Sequence, residues 1–415
     1  MGGSRERSAA PYAGGRQPGS RSSQSGHELR IVVVGAGTRF LSGISYYTIR
    51  LANALAERYQ AGVITMRQIL PTRLYPGRGR VGATLTRLDY DPAVRKLAPV
   101  DWYWLPSLAR AVIGLFRFRP DVVVFQWWTG TVLHTYLALA LVARALGAKI
   151  IVEFHEILDT GEERIPFARH YVRLVGPLFV GLAAGFVIHS EADREPLVRR
   201  YRLGRRPCAV VPHGPYDHHV AMPIEGGEVR VRATPPQVVN LLFFGIIRPF
   251  KGLEDLVEAF DGLSDEEVQG YGLTVVGETW EGWDLPIRLI EASRHRARIT
   301  LVNRYVDDAE VAQFFADADA VVLPYHRSSA SGPAHVAMSH GLPLVITSVG
   351  GLPAAVEGYE GAILIPPRDP VALREAIRGL PAMLGRRFSD PHSWQRTVER
   401  YGELLARLEG RSGKG

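Results

Sequence analysis

The sequence predicts an α/β protein built as two Rossmann-like parallel-sheet domains facing a cleft. Short apolar runs alternate with helix-period segments from residue 29 onward, as strands covered by helices on both faces require. That alternation lapses between Asp217 and Gln237 and resumes at Val238. A chain of 415 residues also exceeds what one hydrophobic core ordinarily organises.

Residues 1–27 are rich in Gly, Ser and Arg and hold no apolar run, so a disordered basic tail is expected and a secretory signal is not. The first domain is expected over 28–216. LRIVVVGAG, from Leu29, reads as a buried strand entering a glycine turn at Gly35 and Gly37. A helix follows, with Ile44, Tyr47, Ile49, Leu51 and Leu55 on its apolar face. GAGTRF is not the GxGxxG of dinucleotide folds. Gly43 is a binding candidate, because a missing side chain lets a ligand approach the backbone; a glycine needed only for the turn is the competing account. Further strands are expected at Gly62–Met66, Pro120–Gln126, Ala148–Glu156, Gly185–Ser190 and Cys208–Gly214, with a helix over Thr129–Leu146. His155 ends the apolar run IIVEF and His213 ends VVP. Catalytic groups of such sheets sit past the strand C-termini, and His155 has the better functional case, although a lone histidine at a strand end is more often structural.

Residues 217–237 are rich in Gly, Pro and charge and read as a linker. The second domain, 238–388, opens with LLFFGIIRPFKGLEDLVEAF (Leu241–Phe260): strand, basic loop, helix. Arg248 and Lys251 stand beside a helix N-terminus, where amide N–H groups and the dipole already favour an anion. Arginine grips phosphate oxygens bidentately and lysine adds a mobile charge, so the pair is a candidate phosphate site; a solvated basic loop is the competing account. Strands are expected at Tyr271–Glu278, Ala297–Val306, Ala318–Tyr325, Leu342–Ser348 and Ala362–Pro367, and helices at Asp308–Ala316 and Ala334–His340. A last helix over His392–Leu408, with a cap signal at Ser389 and Asp390, has no strand to return to.

Composition narrows the setting. Hydrophobic content of 46% with 22% charged residues is that of a globular protein in water. The single cysteine, Cys208, excludes a disulfide framework, suits a cytoplasmic location, and with no Cys/His cluster makes a structural zinc site unexpected. A formal charge of +7 suggests an anionic partner. No RNA- or DNA-binding motif accompanies the basic residues, so nucleic acid is not the expected one. Thr131–Ala148 is too short and too polar for a membrane span. Two stretches carry the arginines of a membrane-surface helix: Trp102–Pro120 and Asp193–Pro207. The competing account of the first is a helix packed on the sheet that shows its arginines to water.

From Leu29 to Leu408 the chain resembles the family 4 retaining glycosyltransferases of the GT-B fold. The likeness rests on SGISYYTIRLANAL, EFHE, HSEAD, VVPHG, FFGIIRPFKGLEDLVEAF, LTVVGE, YVDDAEVAQFFADADAVVLPY, SASGPAHVAMSHGLPLVITSVGGLP and HSWQRTVERY, in that order. The resemblance implies a cleft that binds a nucleotide-sugar, UDP- or GDP-linked, with no cofactor and no required metal. It implies a glycan, a lipid-linked molecule or a small molecule as acceptor, work in cell-envelope polysaccharide or glycolipid synthesis, and peripheral contact with an anionic membrane. It also implies that residues 389–410 form a helix crossing back onto the first domain. By the same resemblance Arg248 and Lys251 stabilise the departing diphosphate, and Ser331 and Gly332 cradle its distal phosphate. Gly43 approaches the same phosphates and His155 contacts the donor sugar. Tyr305 and Val306 lie at a strand end where a nucleotide base could rest, with packing as the competing account; Glu357 is a candidate ribose or sugar partner, against a solvated helix charge. One departure stands out. Many members carry two glutamates eight residues apart, where this chain has Ser328 and Val336. Pro333 also removes one N–H from the phosphate loop. A non-catalytic nucleotide-sugar-binding protein and a nucleotide-sugar epimerase are the alternatives.

Overall fold

Apolar runs such as Ile31–Val34 suit strands buried on both faces, and this one lies inside a seven-stranded parallel sheet. The computed structural model describes residues 28–40, 43–68, 86, 88–101, 105–157, 166–220, 238–280, 282–328 and 330–412. The tail 1–27, most of the linker (221–237) and Trp102–Trp104 lie outside the described residues.

The first sheet contains β1 (Arg30–Ala36), β2 (Gln60–Gln68), β3 (Arg95–Asp101), β4 (Val122–Trp127), β5 (Lys149–Phe154), β6 (Gly185–Ile188) and β7 (Cys208–Val210). Their order is β3-β2-β1-β4-β5-β6-β7. Helices α1 (Gly43–Ala56), α2 (Leu105–Phe118), α3 (Leu133–Ala145), α4 (Pro166–Gly181) and α5 (Arg194–Arg200) connect them. The second sheet runs β10-β9-β8-β11-β12-β13, from β8 (Val239–Phe244), β9 (Tyr271–Val276), β10 (Ile299–Val302), β11 (Ala320–Leu323), β12 (Leu344–Thr347) and β13 (Ala362–Ile365). Its helices are α6 (Leu253–Asp261), α7 (Leu285–Ala292), α8 (Asp308–Asp317), α9 (Gly332–Ser339), α10 (Leu352–Ala355) and α11 (Pro370–Gly379). The last helix, α12 (Trp394–Ser412), returns to the first domain.

Both sheets share the order 3-2-1-4-5-6, so each has a switch point where successive connections leave in opposite directions: β1/β4 and β8/β11. Crevices outside the strand C-termini at such points are where α/β sheets bind ligands. The loops after β1, β8 and β11 are those carrying Gly43, Arg248 with Lys251, and Ser331 with Gly332.

One face of the first sheet is covered by α2, α3 and α4; the other is covered by α1 and α12. Trp394, Val398, Tyr401, Leu405 and Leu408 recur at helical spacing and pack with Ile31, Val33, Tyr47 and Leu51. The orphan helix therefore does cross back. Its N-cap is not Ser389 or Asp390. Ser393 Oγ accepts from Arg396 N at 3.1 Å, while Asp390 accepts from Ser339 Oγ and His392 N.

Three other departures from the sequence reading are local. Strand β3 was absent from it; its residues RKLAPVD alternate weakly and contain a proline, tolerable because β3 is an edge strand. Gly35 is not in a turn: it lies inside β1, where a Cβ would fall 2.1 Å from Gln126 Oε1 and 2.6 Å from Thr48 Oγ1. The glycine serves close packing of α1 on the sheet. Asp217–His219, the start of the expected linker, form a 3-10 turn with both histidines buried.

Candidate active site

The turn after β8 is shaped by Gly252, at φ 63°, where a Cβ would fall 2.0 Å from Pro324 O. That contact locks the β8 turn against the end of β11 and fixes two cations, Arg248 at the N-cap and Lys251 at the end of a 3-10 turn, Pro249–Lys251. Both cations lie on aromatic rings. The Arg248 guanidinium carbon is 4.2 Å from the Trp280 ring centroid, and Lys251 Nζ is 3.6 Å from that of Tyr325. Burial, reinforced by the charge of Arg248, pulls the Lys251 ammonium down to about 7; Glu156, across the cleft, opposes this. Two cations held together in a half-buried turn are an electrostatic cost that an anion would relieve.

Tyr325 joins this turn to the helix start after β11. Its hydroxyl lies 3.4 Å from Ser331 Oγ, and Ser331 caps α9 by accepting from Ala334 N at 3.3 Å. Gly332 faces Tyr216, whose ring atoms are 3.8–3.9 Å from where a Cβ would stand. The Tyr216 hydroxyl donates to Gly43 O at 3.0 Å. One tyrosine from the end of the first domain thus bridges the two glycine positions on opposite walls of the cleft.

His155 lies at the end of β5, buried and bonded through its backbone N–H to Trp127 O at 2.9 Å. Its ring belongs to a relay. Val211 O can only accept, so His189 Nδ1–H donates to it at 2.9 Å, leaving Nε2 to accept from His155 Nδ1–H at 3.0 Å. His155 Nε2 then faces Glu153 Oε2 at 3.6 Å. Glu153 is fully buried and also accepts from Tyr47 Oη at 2.7 Å and Gln126 Nε2 at 3.2 Å. Burial works to raise its carboxyl, but bonds and charge from His155, with help from His189 and Tyr47, hold it at about 2. Burial also pulls His189 down to about 4.

The remaining candidates separate. Val306 is buried in the apolar cluster that holds Tyr46, Tyr216 and Tyr325, and Tyr305 is half-buried beside Tyr46. Glu357 is exposed just after α10. Ser328 Oγ donates to Ala330 O at 2.6 Å, and Val336 points into the core. His213 is buried, stacked on Tyr216 at 5.6 Å and on His335 of α9 at 5.0 Å. Among the described residues two groups hold ligand atoms within 4.8 Å of one another: Glu153, His155 and His189, and Glu254, Asp255 and His326. In each, hydrogen bonds among the members account for the closeness. Tyr216, Tyr325, Trp280 and Glu153 were missed in sequence. Tyr325 and Glu153 end apolar strand runs, a signal that could have found them; Trp280 and Tyr216 sit in irregular segments that carry none.

Two family models match the chain, one on each domain: "Glycosyl transferase 4-like domain" over residues 42–214 and "Glycosyl transferases group 1" over 239–382. A D-inositol 3-phosphate glycosyltransferase of Xylanimonas cellulosilytica is 28% identical over 390 residues, 85% of this chain and 86% of the relative. One from Actinosynnema mirum is 29% identical over 88% of this chain and 91% of its own. Among solved structures, a sucrose-phosphate synthase of Thermosynechococcus elongatus superposes with TM-score 0.58 at 18% identity, covering 93% and 98% of the two chains. An Anabaena protein in complex with UDP-glucose gives TM-score 0.57 at 16% identity, covering 92% and 100%. With both domain models, both sheets and the returning helix in agreement, the chain belongs to the family 4 type of glycosyltransferases and has the GT-B fold.

Proposed function

We propose that this glycosyltransferase transfers a sugar with retention from a nucleotide-sugar, UDP-linked in the first instance, to a hydroxyl of a glycan, lipid-linked or small-molecule acceptor. The observation that carries this is the ring-stacked Arg248/Lys251 pair at the β8/β11 switch point. Negative charge grows on the leaving diphosphate in the transition state, and a preformed cationic turn stabilises it without reorganisation. Arg248 and Lys251 hold the diphosphate, while the helix start at Ser331 and Gly332 and the Gly43 loop close on it from two sides. His155 meets the donor sugar, oriented by His189 and Glu153. The C1–O bond to phosphate breaks, the acceptor oxygen bonds C1 from the same face, and the acceptor proton passes to the leaving phosphate oxygen. No step requires a metal. UDP-glucose in the structural neighbour supports the donor class, and a cytoplasmic setting in envelope glycan or glycolipid synthesis is part of the same proposal.

A second reading, a nucleotide-sugar-binding protein without turnover, is favoured by one observation. Neither Ser328 nor Val336 offers the carboxylate many members have there. Thermal shift against UDP-, GDP-, ADP- and dTDP-sugars, followed by product analysis by NMR with an acceptor panel, separates the two. The transferase reading expects one donor to raise Tm, Lys251→Ala and Arg248→Ala to abolish the shift, and an α-linked product from an α-linked donor. Donor binding with no product across the panel supports the second reading; no binding of any donor defeats both.

A further inference from the structure

The layer formed by α2, α3 and α4 differs from the rest of the surface. None of the residues in these three helices is acidic, while Arg110, Arg117, Arg144, Arg169 and Arg173 are all exposed on them. The helices lie side by side on one face of the first sheet. Each buries one stripe against that sheet; α2 and α4 also show a second set of apolar residues to solvent, and α3 adds one. Leu105, Ile113 and Phe116 of α2, Leu141 of α3, and Leu174 and Leu178 of α4 are between 48% and 79% exposed. On α2 the outer stripe Leu105, Ala109, Ile113, Phe116 repeats at helical spacing with Arg110 and Arg117 along its flank.

At the edge of this layer, β3 and the second half of α2 enclose a groove of about 660 Å³ lined by Arg95, Lys96, Arg110, Arg117, Ile113 and Phe118. Lys96 is paired with Asp89 at 2.9 Å. Arg110 and Arg144 give one N–H each to a backbone carbonyl, of Pro106 and Leu182, and neither meets a carboxylate among the described residues.

The other arginine-rich stretch behaves differently. Arg194 is paired with Glu191 at 2.5 Å and Arg199 with Glu195, while Arg206 donates to the carbonyls of Leu203, Val180, Ala183 and Arg202. Arg194 and Arg199 are thus neutralised by carboxylates, and the Arg206 guanidinium is taken up by four backbone carbonyls. Among the described residues no helix is long and apolar enough to cross a membrane, so a spanning segment does not explain the exposed stripes.

We propose that the outer face of α2, α3 and α4 docks on an anionic phospholipid surface, with Leu105, Ile113, Phe116, Leu174 and Leu178 entering the headgroup boundary. The groove beside β3 takes a lipid phosphate. An acid-free cationic layer with alternating apolar stripes fits a bilayer interface, which offers both negative charge and a place for apolar side chains. A soluble polyanion supplies only the first. The proposal stands on this face alone and does not depend on the donor site.

The test is co-sedimentation of the full chain with vesicles of phosphatidylcholine alone and of phosphatidylcholine with phosphatidylglycerol, at low and high salt. Two charge-matched variants are compared: Arg110→Gln with Arg117→Gln, and Arg194→Gln with Arg199→Gln. Because both keep the basic residues 1–27, the difference between them reads the helix face. The expected result is binding to phosphatidylglycerol vesicles only, weakened by salt, and reduced about 30-fold in the first variant and little in the second. Phe116→Ser, at an exposed position, is expected to weaken vesicle binding while leaving retention on heparin unchanged. Equal losses in the two charge variants, no vesicle binding by the wild type, or heparin and vesicle binding that fall together in Phe116→Ser would each overturn the proposal. A melting temperature matching the wild type certifies each variant as folded.

Discussion

Lys251 is the residue whose chemistry the structure tunes most usefully. An ammonium pressed on Tyr325 beside Arg248, with its pKa near 7, is only partly charged at neutral pH. A bound diphosphate favours the charged form, so binding takes up a proton. The esterified diphosphate of the proposed nucleotide-sugar donor does not itself titrate there. Affinity for it is therefore expected to fall as pH rises through 7, by up to about tenfold per unit. Calorimetry from pH 6 to 9 checks this, and Lys251→Met should bind more weakly with a flat profile. Glu153 makes the opposite case, a carboxylate held charged by its neighbours. Glu153→Gln places an amide N–H₂ against Gln126 Nε2 and removes the partner of His155. A loss of about 3–5 kcal/mol in denaturant unfolding is expected, because a buried pair is broken rather than replaced. An unchanged midpoint would mean that the relay is not held by charge.

At the scale of elements, α12 shows how much rests on one anchor. Trp394 donates from Nε1 to Pro215 O at 3.0 Å, and its ring leaves no room for a Cβ at Gly214, 2.6 Å away. It thereby ties the returning helix to the segment that carries His213 and Tyr216. Trp394→Ala should cost about 3–5 kcal/mol in thermal or urea unfolding, against no more than about 0.5 kcal/mol for a surface change such as Gln395→Ala. The elements legible in the sequence are those whose burial is uniform. Strands β1, β4, β8 and β11, buried on both faces, read as unbroken apolar runs, and the cations after β8 stood out against such a run. Strand β3 did not read, because an edge strand with three exposed residues among seven has neither a continuous run nor strict alternation. Tyr216 and Trp280 were illegible for another reason. Their roles arise from contacts across the cleft or across a turn, between residues far apart in sequence, which no local pattern encodes. The cap of α12 was misplaced by a similar competition, since Asp390 is taken up by Ser339, a tertiary partner.

Across the whole molecule, the two domains meet at a seam of histidines and tyrosines. His213 stacks on His335 and Tyr216; Tyr46 of α1 reaches Asp308 of α8 and packs on His218; His219 contacts the ring of His218 at 4.0 Å. Burial is the first cause that lowers each imidazole, with neighbouring histidines and arginines adding to it. It takes His335 to about 3, His219 and His340 to about 4, and His213 well below its ordinary value. Unfolded, each titrates near 6.5. The unfolded chain therefore binds more protons than the native one below that pH. The seam's contribution is complete above about 6.5 and is lost as pH falls toward 4, at about 1.4 kcal/mol per unit for each fully buried ring. Melting temperature is expected to drop across that interval, while His335→Gln, lacking one such ring, should drop less steeply. The exposed His134→Gln serves as the matched control and should follow the wild type. If His335→Gln and wild type instead lose stability in parallel, the His335 ring contributes nothing to acid sensitivity, which then arises from other groups.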